Sequence, residues 1–197
     1  YKVNITGTHN VLHAAFAWQV KKVVVISSSS ASSSQNLVSP YGISKRAAEY
    51  ISGLFRRDGM DVWCLRLFNV FGPGQAYESE HSAAVPAFIR ALLSGSQIPI
   101  YGNGYQSRDF TYVDDVCSAI LKIIGLDTPA VDLMCEFGYG KSITIMALVD
   151  KISEIVGKKV AGYLFLNQRN GDIKISQAGL SSRLVTLDNP IGFEEGL

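Results

Sequence analysis

Two short apolar runs, Val23-Val24-Val25-Ile26 and Asp61 to Leu67, stand on either side of a stretch from about Tyr41 to Asp58 that Pro40 opens and Gly59 closes. A β-branched run of four reads as a strand buried on both faces, and a proline before with a glycine after brackets a helix. Two strands joined through a helix pair in parallel, because a tight hairpin leaves no room for the helix. The rest of the chain repeats the alternation. Further helices are predicted from about Asn4 to Trp18, where Val11, Leu12, Ala15 and Trp18 recur at helical spacing, and from Ala83 to Leu93, Val113 to Ile124 and Thr144 to Val156. Further strands are predicted at Ile98 to Tyr101, Val131 to Phe137 and Val160 to Leu166, while Ser27 to Ser34 and Gln35 to Pro40 read as loop. The order is that of an α/β fold built on a parallel sheet.

Composition closes off other classes. With 197 residues, 47% hydrophobic and 18% charged, the chain can bury a sizeable core and is too apolar to be disordered. A net charge of +1 without a basic block argues against a nucleic-acid partner. No apolar run reaches the roughly 18 to 20 residues of a membrane span. The opening Tyr1-Lys2-Val3-Asn4 shows neither an initiator Met nor a signal h-region. Cys64, Cys117 and Cys135 lack disulfide or zinc spacing and lie in apolar runs, so buried thiols in a reducing cytoplasm are expected. His9 and His13 stand four apart without a suitable third ligand, and His81 lies in a polar loop, so no metal is expected. Gly138-Tyr139-Gly140-Lys141-Ser142 is no phosphate loop, because Cys135 stands where the first glycine belongs.

The chemistry concentrates at Ser39-Pro40-Tyr41-Gly42-Ile43-Ser44-Lys45. Tyr41 and Lys45, four apart at a helix start, share one face. A phenol with an ordinary pKa of about 10 is a poor base at neutral pH. An ammonium at ~4 Å favours the phenolate by on the order of 1 to 4 kcal/mol between water and near-surface dielectrics. That is roughly one to three pKa units, which makes Tyr41 a candidate general base. Ser27 to Ser30 follow a buried strand, where α/β folds place their ligand crevice, and one of those hydroxyls is expected to bond the substrate.

These motifs, followed by Leu65-Arg66-Leu67-Phe68-Asn69-Val70-Phe71-Gly72-Pro73-Gly74-Gln75, resemble the extended short-chain dehydrogenase/reductase superfamily. Within it the sequence is most similar to the NAD-dependent epimerase/dehydratase family, in particular nucleotide-sugar epimerases of the UDP-glucose (UDP-N-acetylglucosamine) 4-epimerase type. Asn4-Ile5-Thr6-Gly7-Thr8, the stretch from Gly102 to Val116 with Arg108-Asp109-Phe110, Arg169-Asn170-Gly171-Asp172 and the closing Glu194-Glu195-Gly196-Leu197 extend the likeness over nearly the whole chain. The resemblance implies a partial Rossmann-type parallel sheet with helices on both faces, plus a small C-terminal substrate-binding lobe. Residues 1–80 and about 108–140 would be the remainder of an NAD-binding domain, and about 81–107 and 141–197 the substrate lobe. It also implies that Tyr41 is the base, that Lys45 lowers its pKa and holds the nicotinamide ribose, and that Ser28 is the catalytic hydroxyl, with Ser29 as the alternative. By the same likeness, Phe68 lies against the nicotinamide, Asn69 contacts the phosphates, the backbone near Val85 meets the nucleotide, and Tyr101 lies against the uracil. Arg108 and Arg169 clamp the diphosphate, and Asp172 sits on the ribose or uracil side. Ser176, small beside the sugar, leaves room for an N-acetyl group. The implied cofactor is NAD, the substrate a UDP-sugar, and the assembly a homodimer through the helices near 4–18 and 41–58.

The chain also departs from the family pattern. The Gly-rich dinucleotide fingerprint of the opening βαβ unit is absent, which implies that the N-terminal part of the fold is missing and that this chain alone holds NAD poorly. The segment between Ser30 and Pro40 is short and lacks the family's Val-Tyr-Gly turn. Ser29, Ser30 and Ala31 supply no acid for eliminating water, which favours an epimerase over a 4,6-dehydratase. A dehydratase or reductase of the same superfamily, and a truncated non-catalytic binding or structural module, stand as the alternatives.

Overall fold

The computed structural model describes residues 1–32, 39–76, 83–169, 172–179 and 186–197. A π-helical turn at Lys2–Gly7 runs into α1 (Thr8–Ala17), then β1 (Lys22–Ser28), a 3-10 turn at Ser29–Ala31 and α2 (Pro40–Arg57). There follow β2 (Asp61–Leu67), β3 (Val70–Phe71), α3 (Ala84–Ser94), β4 (Ile98–Tyr101), β5 (Ser107–Asp109) and β6 (Thr111–Tyr112). The remainder comprises α4 (Val113–Gly125), β7 (Met134–Phe137), β8 (Ser142–Thr144), α5 (Ile145–Val156), β9 (Tyr163–Leu166) and β10 (Ile175–Ser176).

The central sheet has the order β1-β2-β7, all parallel, as the strand–helix–strand alternation requires. Successive side chains on a strand leave opposite faces. On β2, Val62 packs with Leu12 and Met60 beneath α1 and α2, whereas Trp63 and Leu65 pack with Val116, Ala119 and Ile123 of α4. Helices therefore cover both faces. A separate core joins α3, α5 and β4 through Phe88, Leu92, Ile100, Leu148, Val149 and Ile152. Around it lie the short ladders β3-β6 and β4-β9, both parallel, and β10-β5-β8, in which β5 runs antiparallel to β8.

Several expectations are corrected. The strand begun at Val23 continues through Ser27 and Ser28, which pair with Arg66 and Leu67 instead of forming loop; the ladder with β2 outweighs the turn preference of serine. That strand is not buried on both faces. Among the described residues β2 is its one ladder partner, and Ile26 is 39% exposed. The predicted strand at Val131 starts only at Met134, with Val131 itself exposed, and the last strand begins at Tyr163. Val11 and Trp18 point to solvent; of the α1 pattern only Leu12 is buried. The closing Glu194-Glu195 segment is a single turn, held by the Gly196 amide on the Gly192 carbonyl, and no helix.

Cys64 and Cys135 are buried as expected, but Cys117 is exposed. It follows buried Val116 on α4, and one step along a helix rotates the side chain by about 100°, here out of the core. Burial pushes the Cys64 thiol up to about 11. Since the thiolate is the reactive form, native protein treated with iodoacetamide at pH 8 should be modified at Cys117, with Cys64 protected until denaturant is added. Peptide mass mapping reads this directly, and rapid native labelling of Cys64 would contradict it.

Candidate active site

The C-terminal ends of β1 and β2 open onto a cavity of about 300 Å³ lined by Ser28, Ser29, Tyr41, Lys45, Leu67 and Asn69 among others. This is the edge at which parallel sheets present ligands. Helix α2 starts beside it because Ser39 caps it, Oγ accepting the Gly42 amide at 3.0 Å, and Pro40 occupies the first turn. Tyr41 and Lys45 then lie one turn apart. The Lys45 Nζ donates to the Ile26 carbonyl at 2.9 Å and sits 5.9 Å from the centroid of the Tyr41 ring. Burial pulls the Lys45 ammonium below its ordinary pKa. The Tyr41 ring is half exposed, open to an incoming molecule. Ser28 Oγ accepts the Ser30 amide at 3.2 Å, which shapes the 3-10 turn.

Gly42 sets how closely α2 meets that turn. A Cβ at this position would stand 2.5 Å from the Ser30 carbonyl oxygen, a backbone atom that cannot swing aside. Gly42→Ala should therefore displace the first turn of α2 from Ser28 and lower turnover by roughly a hundredfold with the fold intact, the scale of a 1 Å misplacement. Steady-state kinetics beside circular dichroism check this; unchanged kcat in a folded variant would contradict it.

A second cavity of about 270 Å³ adjoins the first, and Asn69 and Val70 line both. Its walls include Val85, Tyr101, Arg108, Arg169 and Asp172. The Arg108 guanidinium donates to the carbonyls of Ser107 and Ile173, each at 2.7 Å, and pairs with the Asp172 carboxylate. The Arg169 guanidinium lies over the Tyr101 ring, 4.0 Å from its centroid. Phe88, Phe110 and Ile145 supply an apolar floor. One guanidinium is thus fixed and the other stacked, an arrangement suited to a phosphorylated ligand carrying a planar base. Asn69 reaches both cavities through a left-handed backbone, φ 22°, that asparagine tolerates better than most residues. Its Nδ2 donates to the Asp109 carbonyl at 2.9 Å.

The remaining expected residues sit close by. Phe68 is buried and lines neither cavity, although its chain neighbours Leu67 and Asn69 line the first. Ser176 is buried on β10, in register with Arg108. Asn170 and Gly171 of the Arg169 motif, His81, and positions 33–38 of the segment before Pro40 lie outside the described residues. The Gly140 amide is taken by the protein's own Asp109 carboxylate at 2.9 Å, so the loop that mimics a phosphate binder holds a side chain. His9 and His13 stack on each other, and His9 also meets Phe55.

Sequence reasoning missed a buried ionic cluster behind the first cavity. Glu49, 1% exposed, accepts from Ser27 Oγ at 2.6 Å and from Arg66 Nε and Nη2 at 2.7 and 2.8 Å. Arg46 adds a contact at 3.2 Å, and Glu136 faces Arg66 at 3.8 Å. The bonds to Glu49 hold the Arg66 guanidinium above even its ordinary pKa. The available signal was Glu49 lying four residues beyond Lys45 on the same helix face, opposite an arginine inside an apolar strand.

Comparison with known proteins bears on the family and the fold. The model of the NAD dependent epimerase/dehydratase family matches residues 1–130. The chain is 32% identical to a UDP-glucuronate 4-epimerase of Thermodesulfobacterium geofontis, an alignment covering 98% of this chain and 62% of that protein. Among solved structures, it is similar to a UDP-N-acetylglucosamine 4-epimerase from Methanobrevibacter ruminantium in complex with UDP-N-acetylmuramic acid. There the TM-score is 0.83 and the identity 33%, over 95% of this chain and 64% of that one. It is also similar to a UDP-glucuronic acid 4-epimerase from Bacillus cereus in complex with UDP-glucuronic acid and NAD. That match has a TM-score of 0.81 and 26% identity, over 92% of this chain and 60% of the other.

Proposed function

The chain belongs to the NAD-dependent epimerase/dehydratase family, and from that premise we propose that its protein inverts the C4 configuration of a UDP-sugar through a transient 4-keto sugar. The observation that carries the reading is the meeting, at Asn69, of a cavity holding Ser28, Tyr41 and Lys45 with one walled by Arg108, Arg169 and Tyr101. The hydroxyl, phenol and ammonium along the first cavity fit the nicotinamide riboside end of NAD, while the described residues there provide no Gly-rich cradle for its diphosphate. When bound, NAD supplies the hydride acceptor and donor.

The chain's own groups do the rest. Tyr41 takes the proton from the sugar 4-hydroxyl and gives it back to the same oxygen as hydrogen returns to the opposite face of C4, with Ser28 bonding that oxygen and Lys45 favouring the phenolate. Phe68 backs the nicotinamide. Arg108, Arg169 and Asn69 hold the diphosphate, Tyr101 stacks on the uracil, Val85 meets the nucleotide through its backbone, and Asp172 bonds the ribose side. Tight holding at the nucleotide lets the sugar turn over between the two hydride steps. A small Ser176 admits an N-acetyl group. Residues 1–80 and about 108–140 form the cofactor domain, with about 81–107 and 141–197 as the substrate lobe; most of the core around Phe88 and Leu148 falls within that lobe, and Phe71 and Phe110 join it from the cofactor domain.

Incubating the full-length protein with NAD and, in turn, UDP-glucose, UDP-glucuronate and UDP-N-acetylglucosamine should yield the matching C4 epimer, read by NMR of the product. A 4-keto-6-deoxy product would instead indicate a dehydratase, and no turnover with any of the three would sink the reading.

The same reading makes the protein a cytoplasmic homodimer with no nucleic-acid or membrane partner. Exposed Val11 on α1 and Trp18 at its C-terminal end, with Tyr50 and Leu54 on α2, are the apolar side chains that a two-helix dimer face would cover. No described helix is long and apolar enough to cross a membrane. Sedimentation velocity should find a dimer that Leu54→Arg converts to monomer; a monomeric wild type at micromolar concentration would contradict the assignment.

A further inference from the structure

Glu49 sits where one side chain can govern the geometry of the whole proton-transfer pair. Ser27, Arg66 and Glu136 are in register across β1, β2 and β7, so they form one polar row on the sheet face that α2 covers. The row lies one residue before Ser28, Leu67 and Phe137, where the strands end. Such a row inside an α/β core is costly unless every charge is met. Here it is met from α2. The two Glu49 oxygens take one bond from Ser27 and two from Arg66, and Arg46 of the same helix closes the carboxylate off. Glu136 Oε2 in turn accepts the Gly179 amide at 3.1 Å, in the same described stretch as Asp172 and Ser176.

The spacing along α2 gives this cluster its consequence. Tyr41, Lys45 and Glu49 follow one another at four-residue intervals, so they share a helix face. A bond that fixes Glu49 to Ser27 therefore fixes the turn carrying Tyr41 relative to the strand end carrying Ser28. We propose that Glu49 is a positioning residue: its buried carboxylate clamps the Ser27–Arg66–Glu136 row to α2 and thereby sets how Ser28 and Tyr41 face a substrate. The role rests on the proposed reaction for its kinetic consequence, while the clamp itself is a property of the unliganded protein.

Ser27→Ala separates positioning from mere cohesion, because it removes one bond to Glu49 and leaves every charge paired. In the full-length protein kcat for the UDP-sugar should fall about tenfold with KM within about twofold, the signature of a misaligned catalytic pair. Hydrogen–deuterium exchange without ligand should rise for the amides of residues 43–46 in α2 and stay unchanged in α5. Glu49→Gln should do the same more strongly; if it does not fold, Ser27→Ala decides. A Ser27→Ala protein with wild-type kcat and unchanged exchange in α2 overturns the proposal, as does a variant that loses only melting temperature. If the wild type turns over no UDP-sugar while the exchange still rises locally, the reaction is wrong and the clamp stands.

Discussion

Replacing Tyr41 by Phe should lower kcat for epimerisation by roughly 10²- to 10⁴-fold, the range for losing a positioned proton-transfer group, and leave UDP-sugar affinity near its wild-type value. The split follows from the layout of the site. The phenol lines the cavity at the strand ends, whereas Arg108, Arg169 and Tyr101 line the adjoining one. Loss of the hydroxyl removes the proton acceptor without touching the nucleotide grip, and the ring stays in place against Lys45. Calorimetric titration with UDP measures the grip, and the product assay measures turnover. Retention of more than about a tenth of wild-type kcat would exclude Tyr41 as the base.

Arg66→Met should destabilise the protein by roughly 3–5 kcal/mol, because removing one partner of a buried ion pair strands the other charge. Glu49 would keep only Ser27 and the longer contact from Arg46, inside a site from which water is excluded. The size of this effect distinguishes it from surface pairs such as Lys122 with Asp188, where both side chains are exposed and the median worth is about 0–1 kcal/mol. Urea unfolding followed by circular dichroism gives the difference, and a loss below about 1 kcal/mol would show that the cluster is better solvated than its burial implies. The double variant Glu49→Gln/Arg66→Met should lose less than the sum of the single changes, since the two groups share their bonds.

Much of the fold was legible because its long elements carry strong local signals. The run Val23 to Ile26, the Pro40 start and Gly59 stop, and the apolar periodicity of α3 to α5 each reflect a packing demand spread over many residues. Strands β3, β5, β6, β8 and β10 were not foreseen. At two or three residues each they show no period, and their partners lie far along the chain, as with Val70 and Thr111. Burial of Cys117 was misjudged for a related reason: an apolar neighbourhood in sequence does not say which side of an element faces the core. At the site, Tyr41 and Lys45 could be read from spacing and the arginines from resemblance. Glu49 could not, because its importance arises only when three strands bring Ser27, Arg66 and Glu136 into one row beneath it.

The transfer of hydride within one closed cycle is tested most directly by running the reaction of the full-length protein in D₂O and examining the product by NMR. The expected result is a C4 epimer carrying no deuterium at C4, because the hydrogen that leaves that carbon returns to it and only the hydroxyl proton handled by Tyr41 exchanges with solvent. An epimer labelled with deuterium at C4 would contradict the 4-keto route and, with it, the role assigned to Ser28, Tyr41 and Lys45.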